Sequence, residues 1–121
     1  MRSGVKAELA HKARSLIEQS YADKFSLQNI ADELYVNRSY ISRVFTEVNG
    51  YTLVRYHNYI RCIRSLEMLD DPRMKIEDVS EKVGYSSLSH FIKEFKRQFG
   101  VTPSEYRKRG IKRGKILDRP A

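Results

Sequence analysis

With 121 residues and 40% apolar content, the chain can build one domain, or two very small ones sharing a helix, but not more. A net charge of +8 points to a polyanionic partner, either nucleic acid or an acidic surface. A single cysteine, Cys62, excludes an internal disulfide. No apolar run approaches the roughly 20 residues a membrane span needs, and none follows Met1, so a cytoplasmic chain without a membrane partner is expected.

The first predicted helix covers residues 5–21, with Val5, Leu9, Ala13, Leu16 and Ile17 on one stripe. Ser26 can cap a short second helix over 27–34 that turns Leu27, Ile30, Ala31 and Leu34 inward. Asn37 can cap a third, running to about residue 49, with Ile41, Val44, Phe45 and Val48 inward and Gly50 as its stop. A long helix over 52–69 follows, closed by Asp70, Asp71 and Pro72. At about 1.5 Å per residue it is about 27 Å long, close to the roughly 34 Å between successive major grooves on one face of B-DNA. A fifth helix over 76–83 buries Ile76, Val79 and Val83, and Gly84 supplies a turn residue that tolerates positive φ. Ser86 or Ser87 caps the sixth, whose inward face takes Leu88, Phe91, Ile92 or Phe95, and Phe99, with Gly100 as its stop. Thr102, Pro103 and Glu105 form a capping-box signature for a seventh, fading near Gly110. Residues 111–121 carry no periodic stripe, and a mobile basic tail is expected there.

The chain repeats itself. Ser39, Ile41, Val44-Phe45, Gly50 and Tyr56 recur 50 positions later as Ser89, Phe91, Glu94-Phe95, Gly100 and Tyr106. Leu27, Ile30, Leu34 and Val36 match Ile76, Val79, Val83 and Tyr85 at an offset of 49, and the offset changes where each copy turns. Each copy is therefore a short helix, a turn and a longer helix, and a period near 50 is that of a supersecondary unit.

Two helix-turn-helix units in a basic chain point to double-stranded DNA, because the N-terminal half of the second helix of such a unit enters the major groove. With Ile41 and Phe45 inward, Arg38, Ser39, Ser42 and Arg43 point outward in the first copy. The matching positions in the second are Ser87, Ser89, His90 and Lys93. Arginine can donate two hydrogen bonds to guanine O6 and N7, and serines can donate or accept. Phosphates fall to Tyr40, Lys96, Arg97 and the helix starts at Thr52 and Thr102. The plainer alternative is that these are solvated charges on a basic helical module that binds an acidic protein or membrane surface. Phe45, Phe91, Phe95 and Phe99 follow the inward stripe and belong to a core.

Catalysis and metal binding lack a basis. His11, His57 and His90 lie on three different predicted helices, and a lone cysteine, Cys62, does not make a zinc site. No glycine-rich phosphate loop or nucleophile elbow is present. Neither an enzymatic activity nor a cofactor is expected.

The stretch from Val83 through Gly84-Tyr85-Ser86, Phe91, Phe95, Phe99-Gly100 and Thr102-Pro103 to Tyr106-Arg107 resembles the signature of the DNA-binding domain of the AraC/XylS family of bacterial transcription regulators. The resemblance covers about residues 16–109. It implies an all-α, homeodomain-like arrangement of seven helices, two helix-turn-helix subdomains joined by a long helix. It also implies base reading by Ser39, Ser42 and Arg43 and by Ser89, His90 and Lys93. Cys62 and Ser65 depart from the larger aliphatic residue and the alanine expected there, and Thr46 and Glu47 replace the usual basic pair. The expected organisation is 1–15 as the start of the first helix, with Met1 to Gly4 as a truncation or cloning scar, and 16–109 as the DNA-binding domain. Within it, 16–51 is the first unit, 52–70 the linker helix and 73–109 the second unit, and 110–121 is a basic flexible tail. The family further implies transcription regulation, most often activation through RNA polymerase, by a chain that is monomeric alone and dimerises through a sensor domain lying N-terminal to it.

Overall fold

The computed structural model describes residues 2–111 and 116–121, without the side chains of Arg2 and Ser3. Among them are seven helices and no strand: α1 (Arg2–Gln19), α2 (Leu27–Glu33), α3 (Arg38–Asn49), α4 (Leu53–Leu69), α5 (Ile76–Lys82), α6 (Leu88–Phe99) and α7 (Pro103–Arg109). The all-α class expected from the sequence is the one observed. Two units divide the chain, Met1–His57 and Asn58–Ala121, so α4 begins in one and ends in the other.

In the first unit α1 and α2 both pack on α3. Ala13 and Ile17 of α1, Ile30 and Ala31 of α2, and Ile41, Val44 and Phe45 of α3 form its core. Helix starts are set by side chains: Ser26 Oγ accepts from Asn29 N–H, and Asn37 Oδ1 accepts from Ser39 N–H at 2.7 Å. Gly50, at φ 82°, closes α3, its N–H donating to Thr46 O at 2.8 Å. Two inward expectations fail, because Val5 and Val48 are exposed. Val5 lies in the first turns of α1, where Ala10 rather than Val5 begins the buried row, and Val48 lies in the last turn of α3.

The second unit repeats the scheme, with α5 and α7 packed on α6. Of the two candidate caps, Ser87 is the one used, its Oγ accepting from His90 N–H at 3.3 Å. Phe91, Phe95 and Phe99 fill the core, while Leu88 is exposed at the first position of α6. Gly100, at φ 78°, donates to Lys96 O at 2.7 Å. The capping box at α7 is present in full: Thr102 Oγ1 accepts from Glu105 N–H at 3.2 Å, and Glu105 Oε1 accepts from Thr102 N–H at 3.1 Å. These bonds hold the Glu105 carboxyl below its ordinary value of 4.5.

Corresponding contacts recur in the two copies. Phe45 lies 6.0 Å from Tyr56, and Phe95 lies 6.0 Å from Tyr106. Tyr56 donates to Glu18 at 2.5 Å, and Tyr106 donates to Asp70 at 2.6 Å. Burial and the Asp70 carboxylate push the Tyr106 phenol up to about 12. Burial also raises the Tyr56 phenol above its ordinary value, with a contribution from its hydrogen bond to Glu18. A sequence repeat has become a repeat of interactions.

Three long-range features of the second unit have no periodic signal. Arg107 is tied inward. Its Nε donates to Leu69 O at 2.9 Å, and its Nη2 donates to Asp71 O at 3.0 Å and to Met74 O. The buried Gln98 amide grips the chain end, donating to Arg119 O at 3.2 Å and accepting from Ala121 N–H at 3.0 Å. Tyr59 donates to Leu117 O at 2.8 Å, and Pro120 is buried. The end of the segment expected to be a free tail thus has specific partners. Lys112, Arg113 and Lys115, three of its basic residues, lie outside the described residues.

Candidate nucleic-acid interface

α3 is amphipathic, and what it withholds from the core defines the site. Arg38, Ser39 and Arg43 are exposed and Ser42 is half-buried. With Thr46, Glu47 and Leu27 they line one shallow, open depression of about 560 Å³. The structure therefore brings all four predicted base-reading residues of the first unit onto one surface. The Arg43 guanidinium lies 5.5 Å from the centre of the Tyr40 ring, which gives a long, flexible cation a platform before any ligand arrives. Tyr40 itself is half-buried.

α6 presents the matching row. Ser89, His90 and Lys93 are exposed, as are Lys96 and Arg97 in its last turn. The His90 ring meets the Tyr85 ring edge-on at 5.0 Å, and its Nε2 lies 4.0 Å from the buried Glu94 carboxylate. That distance exceeds a hydrogen bond and leaves the ring edge held mainly by packing. Ser87 sits at the helix start with one lone pair engaged by the His90 amide, so it has less to offer a base than Ser89. Beneath this row Tyr85 donates to Asn58 at 2.7 Å and lies under the Arg61 guanidinium at 5.0 Å. Burial first, and the neighbouring Cys62 second, push the Tyr85 phenol upward. Cys62 and Ser65, the departures noted in α4, are both buried, with Ser65 Oγ donating to Cys62 O at 2.6 Å.

The predicted phosphate contacts divide between the units. Thr52 Oγ1 accepts from Arg55 N–H at 3.2 Å and Thr102 caps α7, so both hydroxyls are occupied in shaping helix starts. Lys96 and Arg97 are exposed. Their counterparts Thr46 and Glu47 are not cationic, and Glu47 accepts an ion pair from Lys6 of α1 at 3.1 Å. One exposed residue of the first unit escaped the sequence analysis: Tyr35, in the turn between α2 and α3 and so before the start of α3. Its signal was its alignment with Gly84. Among the described residues no cluster of three or more His, Cys, Asp or Glu side chains could hold a metal ion, and no helix is long and apolar enough to cross a membrane.

Comparison with known proteins gives a consistent picture. A family model described as a helix-turn-helix domain matches residues 30–109. The Msm operon regulatory protein of Streptococcus mutans is 31% identical over 98 residues, which is 81% of this chain and 35% of that protein. The C-terminal domain of AraT, a response regulator from Geobacillus stearothermophilus, superposes with a TM-score of 0.77 at 28% identity, covering 88% of this chain and 89% of that one. A transcriptional regulator with an AraC-type DNA-binding domain from Chromobacterium violaceum superposes with a TM-score of 0.79 at 25% identity, covering 92% and 99%. This chain therefore spans about a third of the length of the curated Streptococcus relative.

Proposed function

Because the chain belongs to the AraC/XylS family of helix-turn-helix transcription regulators, we propose that its α3 and α6 enter successive major grooves of one duplex and read two unlike half-sites. DNA binding in transcription regulation is the function of the domain, and its family and fold are those of DNA-binding regulators. The observation that carries the two-head reading is the pair of outward rows on helices with matching inward faces: Arg38, Ser39, Ser42 and Arg43 on α3, and Ser87, Ser89, His90 and Lys93 on α6. Arg43 makes the paired hydrogen bonds to guanine, and the serines, His90 and Lys93 supply single donors or acceptors. Tyr40, Thr52, Lys96, Arg97 and Thr102 set the register through phosphates, the two threonines by ordering the backbone N–H groups at their helix starts.

In this reading the domain is the C-terminal output module of a larger cytoplasmic regulator that activates transcription through contact with RNA polymerase. It is monomeric alone and dimerises through a sensor domain. The 35% coverage of the Streptococcus protein supports a larger whole. Basic residues beyond Gly110 add attraction without sequence choice. Gel shifts on labelled duplexes selected from a random pool test the proposal. One chain per duplex is expected, displaced by the unlabelled selected site far better than by random duplex. Equal displacement by both would remove sequence-specific reading and favour a general basic surface.

A further inference from the structure

The turns of the two copies have the same backbone. Tyr35 N–H donates to Asp32 O and Val36 N–H to Ala31 O; 49 residues later Gly84 N–H donates to Glu81 O and Tyr85 N–H to Ser80 O. Both turns need a residue with positive φ at the same place. The second copy uses Gly84, at φ 104°, whereas the first uses Tyr35, at φ 57°, and Tyr35 is the one non-glycine residue with positive φ among the described residues. The left-handed conformation crowds Cβ against the following carbonyl, so an aromatic residue there is less favourable than glycine. Nothing inside the protein offsets that cost, since Tyr35 is 94% exposed and makes no side-chain hydrogen bond or ring contact among the described residues.

A strained backbone under a large exposed ring calls for a partner outside the chain. The turn lies immediately before Asn37, the cap of α3, and therefore at the end of that helix that leads into the groove. No acidic residue occurs between Leu34 and Thr46, while Arg38 and Arg43 do, so the surroundings favour an anion. A phenol offers a rigid apolar ring and one strong donor, which suits deoxyribose and phosphate together. We propose that Tyr35 is a further DNA contact, packing its ring on the sugar–phosphate backbone at the rim of the groove that α3 enters and donating its hydroxyl to a phosphate. This rests on the DNA-binding role of the first unit. It assigns Tyr35 to positioning rather than base reading, because it stands outside α3.

The test uses the full chain with Tyr35→Gly, Tyr35→Ala and Tyr35→Phe, on a duplex selected by the unaltered chain and on a random duplex. Gly and Ala should weaken binding to both duplexes by one common factor of about ten, and Phe by less, because it keeps the ring and loses only a hydrogen bond to a charged acceptor. The slope of log affinity against log salt should not change, since a neutral phenol releases no counterion. Tyr35→Gly should melt at or above the temperature of the unaltered chain. Unchanged affinity, a loss confined to the selected duplex, or a lower melting temperature for Tyr35→Gly would each overturn the inference. Failure of the unaltered chain to prefer its selected duplex would sink the two-head reading instead.

Discussion

The two helix-turn-helix units share a frame and differ at almost every exposed position. Phe45 and Phe95, Tyr56 and Tyr106, Gly50 and Gly100, and Thr52 and Thr102 hold matching places with matching partners. The C-terminal ends of α3 and α6 diverge. α3 closes with Thr46 and with Glu47 neutralised by Lys6, whereas α6 closes with the exposed cations Lys96 and Arg97. The shared packing keeps one scaffold while its surface differs, with exposed positive charge at this helix end weighted to the second unit. The cores have diverged too, but less: Val44 of the first is Glu94 in the second, and Ala31 is Ser80.

The largest effects should come from breaking the shared frame. Phe45→Ala and Phe95→Ala each remove a fully buried ring at equivalent positions and should each cost about 3 to 5 kcal/mol. Denaturant unfolding followed by amide exchange should show accelerated exchange in the mutated unit first. Equal acceleration in both units from either substitution would mean that one core serves both.

A smaller effect separates the surfaces. Arg43→Ala should cost about 1 to 3 kcal/mol on the selected duplex and relax preference at one or two adjacent base pairs, with the fold intact because Arg43 is exposed. Equal losses on selected and random duplex would reassign Arg43 to phosphate.

Where the cores differ, the second unit carries a cost that the first avoids. Ser80 Oγ is buried in α5 without a hydrogen-bond partner among the described residues, at the position occupied by Ala31 in α2. Ser80→Ala should therefore stabilise the chain by about 1 kcal/mol in thermal or denaturant melts. A destabilised variant would show that the hydroxyl has a partner in solution.

The smallest difference is one of acid sensitivity. Glu105 is held below its ordinary value by the capping box, so its contribution is present above that value and is lost as pH falls through the lowered one. The equivalent start of α4 has Arg55 in place of a carboxylate. As pH falls below 4.5, amide protection at the start of α7 should fall while that of α4 holds, and Glu105→Gln should remove the difference.

Much of this was legible in the sequence because it is local or periodic. The 50-residue repeat, six of the caps and stops, and the inward rows Ile41-Val44-Phe45 and Phe91-Phe95-Phe99 are encoded within a few residues of where they act. Exposure at Val5, Val48 and Leu88 was not legible, since a stripe says which face is apolar and not how far along a helix its neighbours reach. Glu94 and Gln98 lie on that buried face but carry polar atoms, and Gln98 finds its partners more than twenty residues away. The inward bonds of Arg107 go to backbone carbonyls, which leave no trace in side-chain patterning. For the outward rows, the sequence supplied the residues and the structure their common surface.

The central claim is that one scaffold, used twice, presents two non-equivalent reading heads. Selection of bound duplexes from a random pool by the intact chain, with the stoichiometry of the selected complex measured by light scattering, tests it most directly. An asymmetric site spanning about two major-groove turns, bound by one chain, is predicted. A palindromic site bound by two chains would contradict it.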